Sequence, residues 1–421
     1  MLSDIDRLME KSNLDAILVT GPATHNPPMV YLTGGGHLTN ADLIKIRGSD
    51  PVLFHTPMER DEATQTGLPT RNLADYRLNE LLEKTGGNYT QATILRYQKM
   101  LEDLNITSGR MAICGKIDAG SAYAIFSGLQ ETLPDLQIIG EINDSILLQA
   151  MATKDESQIA RIRHMGHITT QVVGLVADFL TSHQSKDSIL VKSDSEPLKI
   201  GDIKSQINLW LAERGAENPE GTIFAIGRDA GVPHSSGNPD DIIRLGETIV
   251  FDIFPCEAGG GYYYDFTRTW CVGFAPDHVQ KIYNDVLVVY NQIMAELKAH
   301  THCQQYQELT CDLFEEQGHP TIKSKPETQE GYVHSLGHGL GLYVHERPWF
   351  GKNATDQDRL DPGVVVTIEP GLYYPERGLG VRLENTVWVR PDGQIEVLVD
   401  FPMDLVLPLK GNRAGERKMI V

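Results

Sequence analysis

The sequence predicts an α/β (α+β) protein built of two domains. Its 421 residues exceed the size that one hydrophobic core reaches, about 250–300 residues. Strand-like and helix-like segments alternate in the first part of the chain, whereas the second part is rich in strands separated by glycine turns. A content of 41% hydrophobic and 22% charged residues is typical of globular proteins. We therefore predict one domain over residues 1–152 and another over 153–421.

The first domain is predicted to be a layered α/β domain. DAILVT (15–20), PVLFHT (51–56) and GRMAICG (109–115) are rich in strand-forming residues, and TQATILRYQKMLEDLN (90–105) and SAYAIFSGLQETL (121–133) have helical character. Alternation of this kind is typical of a sheet covered by helices. No convergent group of catalytic side chains is apparent in this part of the sequence.

The second domain begins with a long amphipathic helix. Apolar residues recur at near-helical spacing within 152–180, and a second apolar stripe follows in 277–299. The segments 247–255 and 261–273 are strand-like and flank a glycine-containing turn at 256–260. They predict a β-hairpin.

Charge and cysteine content restrict the classes of function. There are 37 Lys and Arg against 57 Asp and Glu, a formal net charge of −20, which disfavours binding to nucleic acid or to an anionic membrane surface. The N-terminus has no signal pattern, and the apolar runs are too short to span a bilayer. Five cysteines without a CxxC motif favour a reducing cytoplasm. We predict a cytoplasmic protein.

Four carboxylates lie on short apolar segments of the second domain: Asp252 in VFDIF, Asp265 in YYYDFTRT, Glu369 in TIEPG and Glu384 in VRLEN. A carboxylate in such surroundings must be paired, protonated or metal-bound, because burying an isolated charge is costly. Asp252 and Asp265 lie on the two arms of the predicted hairpin, so they can stand directly opposite one another. A slip of one residue would turn one of them away.

A histidine-rich segment, HSLGHGLGLYVHERP, contributes imidazoles that can join these carboxylates. His338 would add a neutral nitrogen ligand to an otherwise oxygen-rich set. Such a site suits Mn²⁺, with Co²⁺ or Zn²⁺ as alternatives. Gly337 and Gly339 favour a loop or strand with close backbone approach.

Together these motifs resemble the pita-bread metallopeptidases, in the branch that contains aminopeptidase P and prolidase. The resemblance covers residues 155 to 405, and the first domain is more weakly similar to the creatinase-type N-terminal domain of that branch. The family's metal ligands match, in chain order, Asp252, Asp265, His338, Glu369 and Glu384. One departure is a segment between the two aspartates that is about two residues longer than the family pattern.

The resemblance implies two divalent metal ions that lower the pKa of a water molecule. Asp265 and Glu384 would bind both ions. Asp252 would complete the coordination shell of one ion, and His338 and Glu369 would complete that of the other.

The family's substrate-binding histidines match His234 in GVPHSSGNP and His345 in YVHERP. They would stabilise the developing oxyanion or position the peptide, while Glu369 would carry a proton to the leaving nitrogen. His334 either lines the pocket or supports it. Arg382 either supports a metal-bound carboxylate or grips the substrate carboxylate.

The activity implied is hydrolysis of the Xaa-Pro bond in dipeptides or at the N-terminus of longer peptides, by a homodimer. Dipeptidase and aminopeptidase activity remain alternatives, because both use the same core residues. A metal-free creatinase-like hydrolase and a non-enzymatic peptide-binding module are alternatives of other classes, but each would lack part of the carboxylate set. Methionine aminopeptidase is a further alternative, which the large first domain disfavours.

Overall fold

The computed structural model describes residues 2–141, 145–352 and 354–410. They form two compact units: the described residues up to Met151 together with Gly259–Gly261, and Ala152–Ala258 together with the described residues from Tyr262 onward. Both units combine helices with sheets, which confirms the predicted α/β fold class. The domain assignments 1–152 and 153–421 stay predictions.

The first unit is a mixed sheet with helices. Its strands are β1 (Ala16–Gly21), β2 (Ala41–Ile46), β3 (Val52–His55), β4 (Thr70–Asn72), β5 (Gly109–Gly115) and β6 (Leu136–Gly140). Its α-helices are α1 (Ile5–Lys11), α2 (Pro27–Thr33), α3 (Arg60–Gln65), α4 (Leu78–Lys84), α5 (Tyr89–Asp103), α6 (Ala119–Thr132) and α7 (Ile146–Met151). The sheet has the order β4-β3-β2-β1-β5-β6. Leu18, Phe54 and Met111 pack in its core with residues of α5 and α6.

The second unit contains longer helices and several small sheets. Its α-helices are α8 (Glu156–Ser182), α9 (Ile200–Ala212), α10 (Gly227–Ala230), α11 (Asp277–Glu296) and α12 (Cys303–Glu316). Its strands are β7 (Gln184–Lys186), β8 (Ile189–Val191), β9 (Ala216–Glu217), β10 (Thr222–Ile226), β11 (Thr248–Ile253), β12 (Cys256–Glu257), β13 (Phe266–Val272), β14 (His338–Gly339), β15 (Glu346–Trp349), β16 (Val365–Ile368), β17 (Gly371–Tyr374), β18 (Leu379–Arg382), β19 (Asn385–Val389), β20 (Ile395–Val397) and β21 (Val406–Leu407). Short 3-10 helices span Leu2–Asp4, Pro57–Glu59 and Leu73–Tyr76 in the first unit and Pro375–Arg377 in the second.

Two of the sheets position the candidate site. One has the order β10-β11-β13-β21, and the other has the order β15-β14-β16-β19-β20. The β11–β13 and β16–β19 pairs are antiparallel. Apolar side chains of β16, β18 and β19 pack with α11 and α12 in one core. The strands that carry the carboxylates are therefore fixed by a large buried cluster.

A capping box fixes the start of α8. The Asp155 side chain accepts hydrogen bonds from the backbone N–H groups of Ser157 and Gln158, at 3.0 Å each, and the Gln158 side chain accepts from the N–H of Asp155. These bonds satisfy donors that have no partner within the helix. The first helix of the second unit therefore begins at Glu156.

The two arms of the predicted hairpin pair as antiparallel strands. β11 ends at Ile253 and β13 begins at Phe266. Between them, Cys256–Glu257 pairs with Ala216–Glu217 of β9 on one side. On the other side, Cys256 forms a bridge with Tyr263, and the N–H of Tyr264 donates to the carbonyl of Pro255 at 3.0 Å. The predicted hairpin is therefore present, and its cross-strand contacts continue in the same register beyond the regular strands, as far as Glu257 and Tyr262.

The segment 379–389 is divided between two sheets. β18 pairs with β17, whereas β19 pairs with β16, so the chain changes sheet at Leu383 and Glu384. Among the residues that the structure describes, no helix combines the length and apolar character needed to cross a membrane.

Candidate metal centre

The β11–β13 ladder carries the two candidate aspartates. Asp252 of β11 is paired with Thr267 of β13, and Asp265 immediately precedes β13. The two aspartates are therefore not directly opposed, which corrects one expectation from the hairpin pattern. Asp265 is two residues from Thr267, so side-chain alternation leaves it on the same face of the sheet as Asp252. Both carboxylates are buried.

The β16–β19 ladder carries the two candidate glutamates. Ile368 of β16 is paired with Asn385 of β19. Glu369 follows Ile368 and Glu384 precedes Asn385, so the two glutamates flank the same end of this ladder. The backbone N–H of Glu384 donates to the carbonyl of Thr267 at 3.1 Å, which joins this end to β13.

His338 enters the site from β14, which lies beside β16. Its backbone N–H donates to the Thr367 hydroxyl at 3.1 Å. A Cβ atom at Gly337 would lie 2.0 Å from the carbonyl oxygen of Thr367. Only glycine permits this close approach, as the sequence pattern predicts.

Three of the predicted ligands converge on one point. Ligand atoms of Asp265, His338 and Glu384 all lie within 4.8 Å of one another. Nε2 of His338 is 3.6 Å from an oxygen of Asp265 and 3.6 Å from an oxygen of Glu369. Asp252 is tied to the same cluster through Arg382, whose Nη2 donates to it at 2.5 Å. The structure thus brings all five side chains to one region of the second unit.

Several oxygens of this cluster lack hydrogen-bond donors. Among the described side chains, Asp252 Oδ1, Asp265 Oδ1 and Glu384 Oε1 are buried atoms without a hydrogen-bond partner. Buried polar atoms are nearly always satisfied, so three buried carboxylate oxygens without a donor fit a site that binds a cation. Four carboxylates and one imidazole form a donor set that suits divalent cations such as Mn²⁺. The residues present therefore fit a metal centre.

The protein environment makes the negative charges of this cluster costly. Burial and then the neighbouring Glu384 raise the pKa of Asp265 well above its ordinary value. Burial and then Asp252 raise the pKa of Glu384 to about 8. Burial and then Glu384 also raise the pKa of Glu369. Bound cations would reverse these shifts by attracting the charged forms.

His338 is held in a form that can act as a ligand. Burial, followed by the nearby His345, lowers its pKa to about 3, so the ring is neutral at physiological pH. Its Nδ1 lies 3.0 Å from the carbonyl oxygen of Gly339 and therefore carries the proton that it donates. Nε2, which faces the carboxylates, keeps its lone pair for a cation.

Arg382 is completely enclosed by polar partners. Besides Asp252, its guanidinium donates to the Tyr373 hydroxyl at 2.8 Å, the Pro233 carbonyl at 3.1 Å and the Thr267 hydroxyl at 3.3 Å. Burial lowers the pKa of Arg382, but Tyr373 and the surrounding carboxylates raise it above its ordinary value. Of the two roles predicted for Arg382, these contacts are consistent with the first, in which it supports a carboxylate ligand, here Asp252.

The other three predicted histidines surround this cluster. His234 and His345 are exposed, and the His345 ring lies 4.3 Å from the His338 ring between centroids. His334 is partly buried: its Nδ1 is 2.6 Å from the Ser335 carbonyl, and its Nε2 is 2.8 Å from the Tyr373 hydroxyl. Both ring nitrogens of His334 therefore form hydrogen bonds within the protein. The binding of substrate by His334 stays a prediction.

Sequence reasoning missed three residues that support the ligands. Thr267 donates its hydroxyl to Glu384 at 2.6 Å. Arg268, also buried, donates to the backbone carbonyl of Glu384 at 2.7 Å. Tyr373 links His334 to Arg382. The position of Thr267 two residues after Asp265 was a usable signal, but the partners of Arg268 and Tyr373 depend on distant segments.

Comparison with known proteins places the sequence of this chain among one group of enzymes. The sequence signature of metallopeptidase family M24 matches residues 160–391, more than half of the chain. The Xaa-Pro dipeptidase of Pyrococcus horikoshii is 24% identical over 393 residues, which cover 92% of this chain and 94% of that protein.

Solved structures share the fold over nearly the whole chain. The X-Pro aminopeptidase of Thermotoga maritima matches with a TM-score of 0.72 and 23% identity, covering 95% of this chain and 99% of that one. The Xaa-Pro dipeptidase from Bacillus anthracis matches with a TM-score of 0.72 and 21% identity, covering 96% of this chain and 99% of that one. These likenesses confirm the predicted pita-bread fold.

Proposed function

The chain belongs to metallopeptidase family M24, and on this premise we propose that it is a metal-dependent exopeptidase that hydrolyses Xaa-Pro bonds. The observation that carries the proposal is the buried cluster of Asp265, His338 and Glu384, whose ligand atoms lie within 4.8 Å. The dipeptidase and aminopeptidase names of its relatives support the same substrate class.

Five side chains would hold the metal ions: Asp252, Asp265, His338, Glu369 and Glu384. When bound, two divalent cations would supply a water nucleophile near neutral pH and polarise the scissile carbonyl. Mn²⁺ is the proposed metal, because oxygen-rich sites with one imidazole favour it, and Co²⁺ and Zn²⁺ are alternatives.

The remaining chemistry falls to side chains beside this cluster. Glu369 is the predicted proton carrier. One of its oxygens lies 3.6 Å from Nε2 of His338, and its side chain is 15% exposed, so it can also contact a substrate. His345 and His234 are exposed imidazoles that can donate to the developing oxyanion or orient the peptide. Arg382 and Thr267 hold Asp252 and Glu384 in place.

The first test compares substrates with and without the tertiary amide of proline. We expect purified protein loaded with Mn²⁺ to release alanine from alanyl-proline or from alanyl-prolyl-alanine, and to lose this activity on chelation. Alanyl-alanine is the matched control, since it retains the amide N–H that proline lacks. The ratio of the two proline substrates distinguishes dipeptidase from aminopeptidase activity. Absence of metal-dependent cleavage of both would refute the proposal.

A second prediction concerns His345. Replacing it with alanine is expected to lower kcat by about 10²–10³-fold, the usual effect of losing one donor to an oxyanion. KM should change less, because the donor acts mainly in the transition state. His278→Ala, at an exposed position on α11, serves as the control and should retain wild-type activity. Wild-type kcat in His345→Ala would remove this residue from the mechanism.

We also propose that the enzyme acts in the cytoplasm as a homodimer. Five cysteines without a disulfide support a reducing compartment. Measurement of the molar mass by light scattering tests the homodimer, and a mass of one chain would contradict it.

A further inference from the structure

An ion pair lies completely buried beside the candidate site. Nζ of Lys154 is 2.8 Å from Oε2 of Glu346, and each side chain is 1% exposed. Burying such a pair costs desolvation energy that attraction often only offsets, so the pair adds little stability over an apolar replacement. Its presence instead fixes two segments that are 192 residues apart in the chain.

Glu346 organises the loop between β14 and β15. Its Oε1 accepts hydrogen bonds from the backbone N–H groups of Leu342, at 2.7 Å, and Tyr343, at 3.0 Å. A Cβ atom at Gly341 would lie 2.5 Å from Oε2 and 2.7 Å from Oε1, so only glycine fits beneath the carboxylate. The loop over 340–345 therefore folds around this single side chain.

Lys154 is itself firmly anchored. Its backbone N–H donates to the Gly363 carbonyl at 2.7 Å, and the preceding residue, Thr153, forms an isolated β-bridge with Val364. Gly363 and Val364 directly precede β16, at whose other end Glu369 lies. The backbone of Lys154 is thus held beside the start of the strand whose other end leads to a candidate metal ligand.

His345 immediately precedes Glu346, and the two side chains lie in opposite environments. Glu346 is buried against Lys154, whereas His345 is exposed with its ring 4.3 Å from the His338 ring. His345 is the last residue of the loop and Glu346 is the first residue of β15, so holding Glu346 in place also fixes the backbone from which the His345 side chain projects. We propose that Lys154 is a positioning residue: through Glu346 it holds the loop that presents His345 to the substrate. This inference rests on the proposed function only for the role of His345.

The test combines a structural and a kinetic measurement on Lys154→Met. We expect amide hydrogen exchange over 341–346 to be at least about 10-fold faster, because Glu346 loses its partner and the loop opens locally. We expect kcat to fall on the order of 10–100-fold, as for other supporting residues, with KM and bound metal unchanged. Arg163→Met is the control, since Arg163 lies on α8, shortly after Lys154 in the chain, and its loss breaks a partly exposed pair with Glu396.

A double variant shows whether the effect passes through His345. In a His345→Ala background, Lys154→Met should cause little further loss of kcat, because the residue that it positions is already gone. An equal loss in both backgrounds, or unchanged exchange over 341–346, would overturn the inference. If Lys154→Met fails to fold, Lys154→Met/Glu346→Met, which buries no unpaired charge, takes its place in the same measurements. Failure of the proposed function would appear separately, as an inactive wild-type protein whose loop exchange still responds to the substitution.

Discussion

Asp265→Asn is expected to lower kcat/KM for an Xaa-Pro substrate by at least about 10³-fold at saturating Mn²⁺. The substitution keeps the shape of the side chain but removes one of the anionic groups that converge with His338 and Glu384. Loss of a metal ligand should exceed the effect of losing a supporting partner, about 10–100-fold. Bound Mn²⁺, measured by elemental mass spectrometry, should fall in the same variant.

Asp42→Asn is the matched control for this substitution. Asp42 and Asp265 are both 4% exposed, but Asp42 lies in the first unit and accepts a hydrogen bond from the Tyr97 hydroxyl. An asparagine at position 42 can still accept that bond, so activity and bound metal should stay close to wild type. If Asp265→Asn retained both, the five-residue metal centre would have to be abandoned.

Arg382→Met is expected to lower the free energy of unfolding of the metal-free protein by about 3–5 kcal/mol. Removing one partner of a buried ion pair leaves the other charge unpaired, and this costs more than the pair itself contributes. Here the remaining charge is Asp252, which also lies among the other carboxylates of the site. Urea unfolding of chelated protein would measure the loss.

Two further variants separate the charge of Arg382 from its other contacts. Tyr373→Phe removes one hydrogen bond to the guanidinium and should cost about 1 kcal/mol. In Arg382→Met, the additional substitution Asp252→Asn should recover part of the stability, since it eliminates the unpaired charge. A cost below about 1 kcal/mol for Arg382→Met, or no recovery in the double variant, would contradict the role of Arg382 as the partner of Asp252.

The candidate ligands could be predicted because each lies in a short local motif. Apolar neighbours around Asp252, Glu369 and Glu384 indicate buried strands, and a buried carboxylate needs a partner wherever its strand is placed. The glycines around His338 predict close backbone packing for the same local reason. The five residues were therefore accessible from the sequence, and the resemblance to known metallopeptidases placed them in one set.

The tertiary structure alone decided how these segments meet. It pairs Asp252 with Thr267 instead of Asp265, divides 379–389 between two sheets, and joins Lys154 to Glu346 across 192 residues. Alternation along a strand is a local property and indicates which side chains share a face. Strand register and long-range contacts depend on how distant segments pack together. No single stretch of the sequence contains the information that selects one packing over another.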